Sequence, residues 1–154
     1  MTEIFILLAI VLVSLMTNYG ISLLKTMEKE TNLMDALITV RQLTIIVREI
    51  YDLLINDKFI NQNQFNINEK VKEIESNLSY LNNIINNISP SAPNVKSALE
   101  RVNNHYVIFI SLINDNDIVL NELNEQTYIL NDNLFDLNRI IEDLLQKSDQ
   151  KKSA

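Results

Sequence analysis

Residues 71–88, VKEIESNLSYLNNIINNI, decide how the rest of the chain reads. Val71, Ile74, Leu78, Leu81, Ile85 and Ile88 recur at alternating steps of three and four. Each helical residue turns the chain by about 100°, so that spacing keeps apolar side chains on one face of an α-helix. A half-buried strand would alternate every second residue, and this stretch does not. The intervening Lys, Glu, Ser and Asn suit the wet side. A helix with one apolar face needs partners, and the flanking sequence supplies three more.

Downstream, Ser89-Pro90-Ser91-Ala92-Pro93-Asn94 stops the helix, because proline cannot continue it and restricts the residue before. A second seam opens near Asn94 with Val95, Leu99, Val102, Tyr106, Phe109 and Ile113, flanked by Val107, Ile108, Ile110 and Leu112. Asn114-Asp115-Asn116-Asp117 reads as a turn, with Asn116 or Asp117 as cap of a last helix. That helix carries Leu120, Leu123, Thr127, Leu130, Leu134, Leu137, Ile141 and Leu144. Upstream, residues 56–66 (NDKFINQNQFN) show no period and read as a polar loop, pinned to the bundle by Phe59, Ile60 and Phe65. Asn66 or Asn68 would then cap the 71–88 helix. Before the loop, Leu33, Leu37, Val40, Thr44, Val47, Tyr51 and Leu54 make a further seam. Met34, Ile38, Leu43, Ile45, Ile46 and Ile50 widen it beyond what one partner helix covers.

Four seams with short connections predict an all-α fold, an up-down-up-down antiparallel four-helix bundle, with helices at about 25–55, 67–89, 94–114 and 117–147. Leu37, Val47, Leu78, Leu81, Val102, Phe109, Leu130 and Leu137 are its expected core. The alternative is a coiled-coil hairpin whose long helices pair between chains.

The first helix is expected to continue without a break from a different kind of segment. Between Ile4 and Leu24 the chain reads IFILLAIVLVSLMTNYGISLL, with no charge. At 1.5 Å per residue it spans roughly 31 Å, the thickness of a bilayer's hydrocarbon core. Residues 1–24 are therefore expected to be a transmembrane anchor in contact with membrane lipid, residues 25–147 the bundle and residues 148–154 a frayed polar tail. A cleaved leader would carry a basic start and small residues before the cut, whereas this one begins Met-Thr-Glu. Burial among identical helices is the rival environment. Lys25, Lys29, Arg41 and Arg48 follow the segment and none precedes it, which orients the body towards the cytoplasm.

Composition agrees with long helices: one glycine (Gly20) and two prolines in 154 residues leave few turns. With 20 acids against 13 bases the net charge is −7, unsuited to a nucleic-acid binder, which neutralises phosphates with clustered Lys and Arg. There is no cysteine, hence no disulfide framework. A single histidine, His105, has no ligand partner at metal spacing, and one glycine cannot build a phosphate-binding loop or nucleophile elbow. No enzyme, cofactor or metal site is expected. His105 reads as a boundary residue of its helix. Glu125, Asp132 and Asp136 form an acidic face, and Asn124, Asn131 and Asn138 a heptad ladder that can fix register through amide hydrogen bonds. With 22 asparagines in the chain, such a ladder also arises by chance.

An apolar helix leading into a four-helix bundle resembles, in outline, the sensor modules of bacterial chemoreceptors and histidine kinases. No second apolar span or signalling segment follows it in these 154 residues. Three function classes stand. The first is a membrane-anchored structural or scaffold protein that self-assembles through helices 1 and 3 as a homo-oligomer, for instance a virion or envelope component. The second is a sensor module, which requires a pocket with convergent polar groups. The third is a holin-like or pore-forming protein, which requires a polar stripe such as Ser14, Thr17, Asn18 and Ser22.

Overall fold

The computed structural model describes residues 2–56, 60–88, 92–114 and 120–152, with side chains over 11–54, 66–88, 92–114 and 121–150. They form four helices in chain order, α1 (Thr2–Asn56), α2 (Ile60–Ile88), α3 (Pro93–Ile113) and α4 (Leu120–Lys152), and no strand among the described residues. α1 packs against α2 and α4, and α3 packs against α4 and, more narrowly, α2. Among the described residues the backbones of the diagonal pairs α1/α3 and α2/α4 do not come close. Cross-helix bonds fix an antiparallel sense. Lys70 pairs with Glu49, the Ser148 hydroxyl donates to Glu30, and Arg41 meets Glu142 at 2.8 Å. The result is an all-α, up-down-up-down four-helix bundle.

The core is where the seams predict it. All eight residues named above are buried, joined by Leu33, Val40, Ile74, Ile85, Val95, Leu99, Leu123, Leu134 and Ile141. The seam threonines need no partner outside their own helix. The Thr44 hydroxyl donates to the Val40 carbonyl at 3.0 Å, and the buried Thr127 hydroxyl to the Leu123 carbonyl at 2.7 Å. Thr39, also buried, donates to the Asp35 carbonyl at 2.8 Å. A hydroxyl satisfied one turn back can be buried at little cost.

Three boundaries differ from the sequence reading. α2 begins at Ile60, so most of the expected loop at 56–66 is helical and neither Asn66 nor Asn68 is its cap. No glycine or proline interrupts that stretch, and Asn and Gln in a helix cost only tenths of a kcal/mol each. Ile67, buried beside the core, anchors this first part. The side chains of Phe59, Ile60 and Phe65, expected to pin the loop, lie outside the described residues, as do Pro90, Asn116 and Asp117. α3 starts at Pro93, one residue before the expected Asn94, with Ala92 as N-cap. Proline suits that first position because its missing N–H would have no helical acceptor there. α4 runs to Lys152, past the tail expected from residue 148, and Ser148 is tied to Glu30 of α1.

Candidate assembly surface

α1 is the longest helix, 55 residues, or about 80 Å. Ser148 of α4 bonds Glu30, and α4 ends one turn further on, at Lys152. The part of α1 before that level, residues 2–25, extends roughly 35 Å beyond α4. From Val11 onwards its described side chains are bare on every side. Val11, Leu12, Val13, Leu15, Met16 and Ile21 are exposed, and Leu24 is 67% accessible. Among the described residues no other part of the chain covers this collar. Among the described residues no helix is long and apolar enough to cross a membrane. The stretch expected to do so begins at Ile4, and its first seven side chains lie outside the described residues.

Within the bundle α1 keeps an apolar column on the side away from the core. Leu24, Met27, Met34, Ile38 and Ile45 are exposed and fall within about 40° of one direction. The fully buried Ala36, Leu43 and Ile50 lie on the opposite side. The breadth seen in the sequence therefore divides. Leu43, Ile46 and Ile50 belong to the core, where two neighbouring helices cover a wide face. Met34, Ile38 and Ile45 do not. Ile46, which like Ile38 lies off the predicted seam, is only 4% accessible, whereas adjacent Ile45 is 58%. On α3 the excess is smaller: Val107 and Ile108 are exposed, while Ile110 and Leu112 pack against the core. Tyr128 and Phe135, seven residues apart on α4, are exposed aromatics outside the helix 4 seam.

The polar candidates do not converge. His105 is half-buried at the α3/α4 boundary, its Nδ1 3.4 Å from Gln126 Oε1. Asp136 is held by Arg101 of α3 at 2.9 Å and Arg139 of its own helix at 2.6 Å, a clamp between helices. Glu125 and Asp132 are solvated, and among the described residues no group of three metal-ligating side chains occurs. Of the asparagine ladder, Asn124 accepts from the Tyr51 hydroxyl of α1, while the buried Oδ1 atoms of Asn131 and Asn138 have no hydrogen-bond partner. A different amide pair crosses the bundle. Asn103 donates to Asn82 Oδ1 at 3.1 Å, and Asn82 donates to its own Leu78 carbonyl at 2.8 Å, linking α3 to α2. Tyr106 lies between these helices with its hydroxyl buried and unpaired. Burial pushes that phenol above its usual range, and nearby Glu75 adds to the shift.

The grooves are open and superficial. One of about 470 Å³ runs between α1 and α4, with Tyr51 and Tyr128, the charged Arg48 and Asp52, and Asn124 and Asn131 among its lining. Another of about 410 Å³ lies between α1 and α2 beside Ile45, Glu49 and Glu73. Of the proposed pore stripe, Thr17 turns its hydroxyl to the Val13 carbonyl at 2.8 Å. The dominant surface feature is thus the apolar side of α1, which runs from the collar to Ile38, with Ile45 beyond Gln42. No family model, curated protein or solved structure matches the chain.

Proposed function

We propose that this protein is a non-catalytic, membrane-anchored structural component, an element of a larger helical assembly such as a virion or envelope. One observation carries the reading: a continuous helix leaves a self-sufficient bundle and presents apolar side chains on every side for at least four turns. Monomeric soluble proteins rarely expose contiguous apolar area beyond a few hundred Å². Lipid around the collar, followed by packing between copies on α1, removes that area from water. Residues 4–24 serve as the span, and Lys25 and Lys29 mark its cytoplasmic edge. The runner-up is a tethered sensor, favoured by the α1/α4 groove, where Arg48 and Asp52 bring opposite charges beside two tyrosines.

Membrane fractionation tests the anchor. The full chain is expected in the membrane pellet, released by detergent but not by salt or carbonate, and a chain lacking residues 1–17 is expected in the supernatant with its helical content retained. A shortened chain that still sediments with membranes refutes the anchor. Mass measurement of the detergent-extracted full chain then tests assembly, and a monomer moves the sensor reading ahead.

A further inference from the structure

We infer that the outward column of α1 is a parallel, two-stranded coiled-coil seam for a second copy of this chain. The inference rests on the anchored-assembly reading and names its contact surface. Leu24, Met27, Thr31, Met34 and Ile38 follow one another at steps of three, four, three and four, all exposed. A 3.5-residue repeat drifts only about 20° per heptad, so over these two heptads it keeps to one line, and a slight left-handed supercoil around a neighbour removes the drift. Among the described residues no neighbouring helix lies on this side of α1. α2 and α4 occupy the other side of α1, where Ala36, Leu43 and Ile50 are buried. The chain thus has one heptad face that its own bundle uses and a second, opposite one that nothing in it uses.

Gly20 is an independent pointer to the same line. Glycine in a helix interior is unfavourable relative to alanine, so it is usually retained for close approach or for a backbone conformation closed to other residues. Gly20 has no positive φ, and a Cβ there would meet nothing within 4 Å in its own chain. Four residues before Leu24, it falls on the outward column. A glycine on the contact line lets two helix backbones approach, as at small-residue crossings of membrane helices.

Area and direction agree. Extended through Val13 and Met16, the column offers roughly 500 Å² of exposed apolar surface per chain at about 30 Å² per carbon. A pair would bury on the order of 1,000 Å², where stable interfaces begin. Two chains entering one membrane face from the same end can align only in parallel. That places Ile38 against Ile38 of the partner and ends the seam near Gln42, where a polar residue interrupts the column.

The chain has no cysteine, so single substitutions report cleanly. The full chain, reconstituted in phosphatidylcholine vesicles, is oxidised as Met34→Cys, Ile38→Cys or Lys25→Cys. Lys25 is exposed and faces away from the column. Disulfide dimers are expected at Met34→Cys and Ile38→Cys and not at Lys25→Cys. Adding Gly20→Leu to Ile38→Cys should lower the dimer fraction by about tenfold with unchanged helical content. A particle that is oligomeric by mass but links at neither 34 nor 38 overturns this seam and leaves the assembly reading standing. A monomer overturns both. Equal linking at all three positions marks random collision and also overturns the seam.

Discussion

Leu81→Ala measures whether the repeating seam of α2 faces a close-packed interior. Leu81 is fully inaccessible and belongs to the continuous core formed by all four helices. The substitution deletes three carbons, worth about 2.4 kcal/mol at 0.8 kcal/mol per buried methylene. The cavity left behind adds to this, because a bundle held on two sides collapses only in part, and the expected loss is roughly 3–4 kcal/mol. For a chain of this size a loss of 1 kcal/mol lowers the melting temperature by about 2–4 °C. Thermal melting followed by circular dichroism in mild detergent should therefore show a drop of roughly 6–15 °C. Leu15→Ala is the matched control: the same three carbons leave a residue 60% accessible, outside the bundle and on the side of α1 away from the outward column, with an expected loss below about 0.5 kcal/mol. A loss under about 1 kcal/mol at Leu81, or equal losses at both positions, would refute the packing argument.

Tyr106→Phe removes a buried hydroxyl that has no partner, and stability near pH 7 should rise by about 1 kcal/mol, read from the same melts. Because the folded protein holds that phenol above its usual range, the neutral form's contribution is fully present below about pH 10 and lost as pH climbs beyond it. The Phe variant should therefore lose less stability than the parent between pH 10 and 12, and an identical slope would contradict the assignment. Asp136→Asn cuts the clamp to Arg101 and Arg139, yet the carboxylate is one-third exposed, so the cost should stay below about 1 kcal/mol and shrink with added salt. A salt-independent loss above 2 kcal/mol would mean that the clamp positions α3. Ile38→Glu with Ile45→Glu should dissociate the extracted particle while leaving the melting temperature within a few degrees, since both residues are exposed in the single chain. A particle of unchanged mass would exclude this face as a contact.

The fold was legible because period, rather than propensity, carries the signal in this chain. Every seam position from Ile74 to Ile88 that recurs at three-four spacing is buried, despite asparagines that disfavour helix interiors. Element ends were less legible. Residues 60–66 have no apolar rhythm, yet α2 passes through them, since a formed helix extends over Asn and Gln at small cost. One signal was present: Ile67 stands four residues before Val71 and marks the seam one turn earlier. The end of α4 was hidden for a similar reason. Its last residues look like solvated tail, and only a tertiary contact, Ser148 on Glu30, shows that α1 is long enough to accompany them.

The candidate surface was legible in breadth but not in phase. α1 carries apolar residues on more than one face between Leu33 and Leu54, and such a helix can be rotated without changing how apolar its buried side looks. Ile45 and Ile46 are chemically identical neighbours with opposite fates, and nothing in either residue decides which faces inward. The decision is collective. Ala36, Leu43 and Ile50 lie seven residues apart, and setting them in the centre of the contact with α2 and α4 brings Leu33, Val40 and Val47 with them. Once that side is fixed, Met34, Ile38 and Ile45 must point away, in line with Leu24 and Met27 of the collar. The outer column is therefore a geometric consequence of the inner one. Its polar member Thr31 satisfies its hydroxyl on its own Met27 carbonyl at 3.0 Å. The side of α1 that the bundle leaves unused thus keeps an apolar character from the collar down to Ile38, which is what a second helix lying alongside it requires.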